Sequence, residues 1–154
     1  MSPIQIILLV LGILAVVFTS ISVVFRVLSK RTKERAAEKL KGHKVLFEDK
    51  GANCIGVDSP VRRTNRGNGN LYLTERGLLF LAYAGYDIEV SYMEMLEVGK
   101  KRAQKGKTIF RELLSVTYNY NGATENAAWH TRKLDEALEI LEKAIEARER
   151  AGIL

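Results

Sequence analysis

Gly106-Lys107-Thr108 ends like a phosphate-binding loop, in which backbone amides cradle a phosphate and a lysine reaches its outer oxygens. The spacing excludes that chemistry. The pattern needs a glycine five residues before Gly106, position 101 is lysine, and a strand pattern follows where a helix is required. A Cys–His pair would make a nucleophile. Yet Cys54 lies in an apolar strand pattern, His43 and His130 are far apart in the chain, and no third member is marked. Two histidines and scattered carboxylates show no metal-ligand spacing. No enzyme activity, metal or cofactor is expected. What remains is anion chemistry. Arg62, Arg63 and Arg66 share a glycine-rich loop, and Lys100, Lys101, Arg102, Lys105 and Lys107 surround one hairpin. If the strands alternate in direction, with 44–58 counted as one long strand, both clusters reach the same end of the fold. Converged cations on a flexible backbone can hold a phosphate headgroup. The bland alternative is a set of solvated loops. Nucleic acid fits less well, because no aromatic residues interleave with the basic ones.

The elements that must position these clusters begin with a membrane span. Residues 4–25 carry no charge, and only Gln5, Thr19, Ser20 and Ser22 are polar. As a helix, 22 residues cover roughly 33 Å, enough for a hydrocarbon core of ~30 Å. A cleaved leader would show a basic start, a shorter apolar core and a small-residue cleavage site. The Met-Ser-Pro start and the Val23-Val24-Phe25-Arg26 exit show none of these. Eight basic residues and two acidic ones follow in 26–44, while residues 45–154 hold sixteen of each sign. The whole +6 net charge thus lies beside the span. Arg26, Lys30, Arg31, Lys33 and Arg35 are expected at the membrane surface, with the amino terminus outside and the remainder cytoplasmic. Unpaired Cys54 agrees with a reducing compartment. Helix formers at 33–41 predict that the anchor helix continues past the membrane until Gly42 breaks it. The division expected is an anchor at 1–25, a basic juxtamembrane helix or linker at 26–42, and a domain at 43–154.

The domain reads as a strand meander closed by a helix. Residues 44–50 and 52–58 alternate like strand on either side of Gly51. A loop over 59–69 leads to a strand at 70–74, and the turn Glu75-Arg76-Gly77 leads to Leu78–Ala84, which is apolar on both faces and therefore buried. Residues 86–92 alternate with Asp87, Glu89 and Ser91 on a wet face. A further strand runs from about Leu96 to Arg102. Another spans 108–119, with Phe110, Leu114, Val116 and Tyr118 on one face. Asn121-Gly122 signals a tight hairpin into a last strand, 124–130, which carries Trp129. Leu134, Leu138, Leu141 and Ile145 then recur at helical spacing. They predict an amphipathic helix over 132–150 with Thr131 as its N-cap. About seven strands and one helix give a mainly β fold: a small barrel or sandwich with a helical cap.

The run Gly69-Asn70-Leu71-Tyr72-Leu73-Thr74-Glu75-Arg76-Gly77-Leu78-Leu79-Phe80 resembles the G-x-L-x-L-T-x-x-x-L-x-F signature of GRAM domains, a branch of the pleckstrin-homology-like fold. Asp87–Tyr92, Met93–Val98, Trp129 and the leucine-rich helix look like the elements that follow it in that family. The resemblance covers about 43–150 and rests on turn and core positions, so it speaks to fold more than to function. It implies a binding module for membrane lipids or protein partners and does not require a membrane span. Two functions follow: a single-pass, membrane-anchored reader of anionic phospholipid headgroups, or a membrane-tethered scaffold that docks a cytoplasmic protein. Assembly through the span itself has little support, because Gly12 stands alone without a G-x-x-x-G repeat.

Overall fold

A computed structural model describes residues 2–60, 66–104 and 107–151. Helix α1 runs unbroken from Pro3 to Lys39. Its start is a capping box: the Gln5 amide donates to Ser2 Oγ (3.3 Å), the Ser2 amide to Gln5 Oε1 (2.9 Å), and Pro3 occupies the first turn. The hydroxyls of Thr19, Ser20 and Ser22 donate to the carbonyls of Ala15, Val16 and Phe18. No polar side chain in 4–25 other than Gln5 is therefore left without an acceptor within the helix. That half of the helix is long and apolar enough to cross a membrane, and it touches little of the rest of the chain. The helix caps at Leu40, and Gly42 turns the chain away at φ 78°.

Seven antiparallel strands follow: β1 (Val45–Asp58), β2 (Gly67–Thr74), β3 (Gly77–Ala82), β4 (Asp87–Ser91), β5 (Met95–Gln104), β6 (Lys107–Tyr120) and β7 (Ala123–His130). Helix α2 (Leu134–Arg150) closes the chain. The strand order is β4-β3-β2-β1-β7-β6-β5, so β4 and β5 are edges and the sheet does not close. It wraps as a sandwich because β1 belongs to both halves. Its first part pairs with β2 and its last part with β7, with register shifts after Lys50 and Cys54. Gly51, at φ 101°, makes the first of these bends. The chain bends at Gly51 without breaking, so the two predicted segments are one strand. Phe80, Leu71, Tyr118 and Trp129 meet between the halves, and Ala137 and Leu141 of α2 seal the same cluster. Arg148 near the end of α2 donates to the carbonyls of Tyr92 (2.9 Å) and Met95 (2.7 Å), which pins the helix to the β4–β5 corner. A sandwich-like sheet of seven strands capped by a C-terminal helix is the arrangement that the pattern predicts.

Three local expectations change. Phe110 is fully exposed at 103% instead of joining Leu114, Val116 and Tyr118. The β5–β6 pairing jumps between Lys101↔Leu113 and Ala103↔Thr108, so residues 109–112 bulge out of the ladder and lose the even-number parity. Helix α2 starts at Leu134, two residues later than its periodicity suggests, and Lys133 is its N-cap. Thr131 instead donates to Asp49 Oδ2 (2.5 Å), tying the chain entering α2 to β1. Asn121-Gly122 forms the expected tight hairpin with both residues at positive φ.

Two signature glycines have a steric cause. A Cβ at Gly77 would lie 2.2 Å from the Val90 carbonyl oxygen, and one at Gly69 would lie 2.3 Å from that of Leu81. Both neighbours are paired strand backbone and cannot step aside. Gly77→Ala is expected to destabilise the domain by about 1–3 kcal/mol or more, read as a lower urea midpoint. An unchanged midpoint would contradict this close approach.

Candidate functional site

Inward residues of β3 (Leu78, Phe80 and Ala82) fill the sandwich core, whereas Leu79 and Leu81 point outward. With Tyr72 of β2 they form an apolar patch, and α1 covers it through Ala36 and Leu40. The second half of α1 is therefore a packed part of the domain. Around this contact runs a ring of polar bonds. Arg35 donates to Asp87 Oδ1 (2.7 Å) and to the Ala82 carbonyl (2.5 Å). Lys39 lies 3.3 Å from Asp87 Oδ2 and 3.3 Å from Glu89 Oε2. Burial pulls the Lys39 ammonium down, but its bonds to Asp87 and Glu89 outweigh that and leave its pKa raised. Thr32 is buried, and Phe25 meets Tyr83 edge-on with ring centroids 5.8 Å apart.

These contacts fix a direction. Phe25 meets Tyr83, Arg35 meets Ala82, and Leu40 packs on the cluster that holds Leu79, so α1 runs antiparallel to β3. The β3–β4 turn thus sits beside the last residues of the apolar run. Beside it starts β2, because the Tyr83 amide donates to the Asn68 carbonyl. Arg66, exposed, immediately precedes that strand. Arg62 and Arg63 lie outside the described residues.

The second basic cluster does not converge. Lys100 meets Asp135 at the start of α2 (2.5 Å) and Glu112 (3.8 Å), and the Asp135 bond raises its pKa. Lys101, on the opposite face, donates to Asn126 Oδ1, and burial lowers its pKa. Arg102 pairs with Glu112 at 3.2 Å. Lys105 and the Lys107 side chain are outside what the structure describes. The hairpin stem bends across the sheet, since Gln104 Nε2 donates to the carbonyls of Gly56 (3.2 Å) and Asn126 (3.1 Å). That carries it to within two residues of Asp58, where the chain leaves β1 for the arginine-bearing segment. Of the residues expected at a membrane surface, Arg26, Arg31 and Lys33 are exposed, and Lys30 lies 3.9 Å from Glu34. Arg35 faces the domain instead.

Neither histidine meets the cysteine. His43 lies 3.1 Å from Glu75 and His130 3.5 Å from Arg111, whereas Cys54 is buried in the core. Among the described residues no group of three or more His, Cys, Asp or Glu is placed to hold a metal. A cleft of about 510 Å³ opens between α1 and the β3–β4 turn, lined by Leu28, Arg31, Glu34, Glu38, Tyr83 and Ala84 among others. The sequence pattern does not single out Asp87 or Tyr83. Asp87 reads as wet-face alternation, and the one available signal is that β3 is apolar on both sides.

No protein-family model matches the chain. No curated protein matches it either. Among solved structures it is similar to the C-terminal domain of an unknown protein from Leishmania infantum, with 16% identity over 75% of this chain and 96% of that one, and a TM-score of 0.51. It is also similar to a Vps36 N-terminal PH domain, with 12% identity over 70% of this chain and 82% of that one, and a TM-score of 0.49.

Arg35→Met removes both charge-assisted bonds to the domain, and the Ala82 carbonyl keeps only the Gly85 amide as donor (3.1 Å). The expected cost is about 1–3 kcal/mol. It should appear as faster amide hydrogen exchange across residues 28–40, with exchange in β6 and β7 unchanged. Unaltered exchange at 28–40 would show that Arg35 does not hold the helix.

Proposed function

We propose that the chain is a single-pass membrane protein whose cytoplasmic PH/GRAM-like domain reads anionic phospholipid headgroups. Residues 4–25 cross the bilayer, the amino terminus lies outside, and the basic flank sets this orientation. The observation that carries the reading is the antiparallel docking of α1 on β3. With α1 across the bilayer, the β3–β4 turn and the root of the arginine segment face the lipid surface, and α2 faces away. A domain held in this way meets the headgroups at high effective concentration, so a weak site suffices. The unbroken helix also argues against a cleaved leader, because its second half packs on the domain.

Lys100 and Arg102 are already paired with carboxylates, which shifts the expected lipid contact to Arg62, Arg63 and Arg66. Each basic side chain near an anionic surface contributes about 1 kcal/mol. The GRAM resemblance agrees with a binding module, although its positions in β2 and β3 are turn and core residues. One observation favours the scaffold reading. The edges β4 and β5 are open, and Met93 and Leu96 are exposed at the corner between them.

The full chain in phosphatidylcholine nanodiscs, with and without phosphatidylserine, tests the choice. Residues 58–69 should gain hydrogen-exchange protection with phosphatidylserine and lose that gain in Arg62→Glu/Arg63→Glu/Arg66→Glu. Equal protection in both lipids would contradict headgroup reading and favour the scaffold.

A further inference from the structure

The geometry points to a second lipid site: the cleft between α1 and the β3–β4 turn holds the headgroup of a single amine-bearing zwitterionic phospholipid. This rests on the reading that α1 crosses the bilayer. Four observations support it.

The first is position. The apolar run ends at Phe25, and Leu28 and Arg31 lie roughly 4.5 and 9 Å further along the helix. The polar layer of one leaflet is roughly 5–7 Å deep. Side chains on a helix lean toward its amino terminus, which here is the bilayer side, so Arg31 leans back toward the lipid phosphates. The second is size: about 510 Å³ lies within the ordinary range for small-ligand sites.

The third is the order of chemistry along the cleft. Leu28 and the Tyr83 ring come first, then Arg31, then Glu34 and Glu38, with Arg35 between these two already committed to Asp87 and the Ala82 carbonyl. A phospholipid presents acyl chain, phosphate and ammonium in that same order. Arg31 and Glu34 are offset by roughly 4.5 Å along the axis, which suits a phosphate and an ammonium joined by two carbons. Glu34 at that distance disfavours a purely anionic head, so this ligand differs from the one assigned to the arginine segment; Glu38, roughly 6 Å further along the axis, lies beyond the ammonium.

The fourth is rigidity and availability. Arg35 ties the helix wall to Ala82 and Asp87, so both walls are fixed before any ligand arrives. Arg31 is exposed and, among the described residues, has no ion-pair partner. Glu34 has only a long contact to exposed Lys30, at 3.9 Å, which a lipid ammonium can replace.

The full chain in nanodiscs of equal parts phosphatidylethanolamine and phosphatidylglycerol tests this, with retained lipid identified by native mass spectrometry. One phosphatidylethanolamine should be retained in preference to phosphatidylglycerol. Arg31→Ala should cut total retention about tenfold, the usual size of a lost charge-assisted bond. Glu34→Gln should abolish the preference while retention persists. Arg62→Glu/Arg63→Glu/Arg66→Glu should leave the preference intact, which separates this site from the headgroup reading above. Retention that follows negative charge and disappears in the triple-arginine variant would overturn the proposal, as would no lipid retained above the level of a plain transmembrane helix. Release of the chain by alkaline extraction would overturn both this site and the anchor.

Discussion

Leu79, Leu81 and Tyr72 point out of the sheet, away from the core that Leu78, Phe80 and Leu71 fill from the other side. Apolar side chains on the outer face of a sandwich need a cover. α1 supplies it with Ala36, whose small side chain lets the helix come close, and with Leu40. The second half of α1 therefore belongs to the fold, and the direction of the domain relative to the apolar half follows from this one packed surface. Arg35 and Lys39 then fix register along it, because both answer to Asp87 on the edge strand. Either contact alone is modest, since both partners are partly solvated. Together with the buried Thr32 and Ala36 they leave the helix one seat.

The charges gain a different meaning in three dimensions. The excess of positive charge beside the apolar run looks uniform along the chain, but it divides by helix face. Arg26, Arg31 and Lys33 keep to solvent, whereas Arg35 and Lys39 are used inside the molecule. The hairpin cluster divides likewise. Lys100 joins β5 to α2, Lys101 props the underside of the sheet through Asn126, and Arg102 meets Glu112 across the hairpin. Neighbouring residues in a strand point to opposite faces, so a basic run on β5 cannot act as one patch.

This is also why some of the molecule could be read from the chain and some could not. The strands, the Asn121-Gly122 hairpin and the closing helix follow from local periodicity and turn chemistry. So does the helix end at Gly42. Phe110 could not be placed, because a three-residue shift in β5–β6 pairing is set by the bend of Gln104 onto Gly56 and Asn126. The docking of α1 depends on contacts about fifty residues apart, such as Arg35 with Asp87. Its only local trace was β3, apolar on both faces and so short of a partner. The cleft has no sequence signature at all, since its two walls come from separate elements.

The central claim is that the helix presents the β3–β4 end of the domain to the bilayer. Depth-dependent fluorescence quenching tests it directly. A single probe is placed at Ala84 or at Glu142 of the full chain in nanodiscs carrying a quencher at the headgroup level. Strong quenching at Ala84 and little at Glu142 is the expected result. Equal quenching at both positions, or stronger quenching at Glu142, would contradict the account.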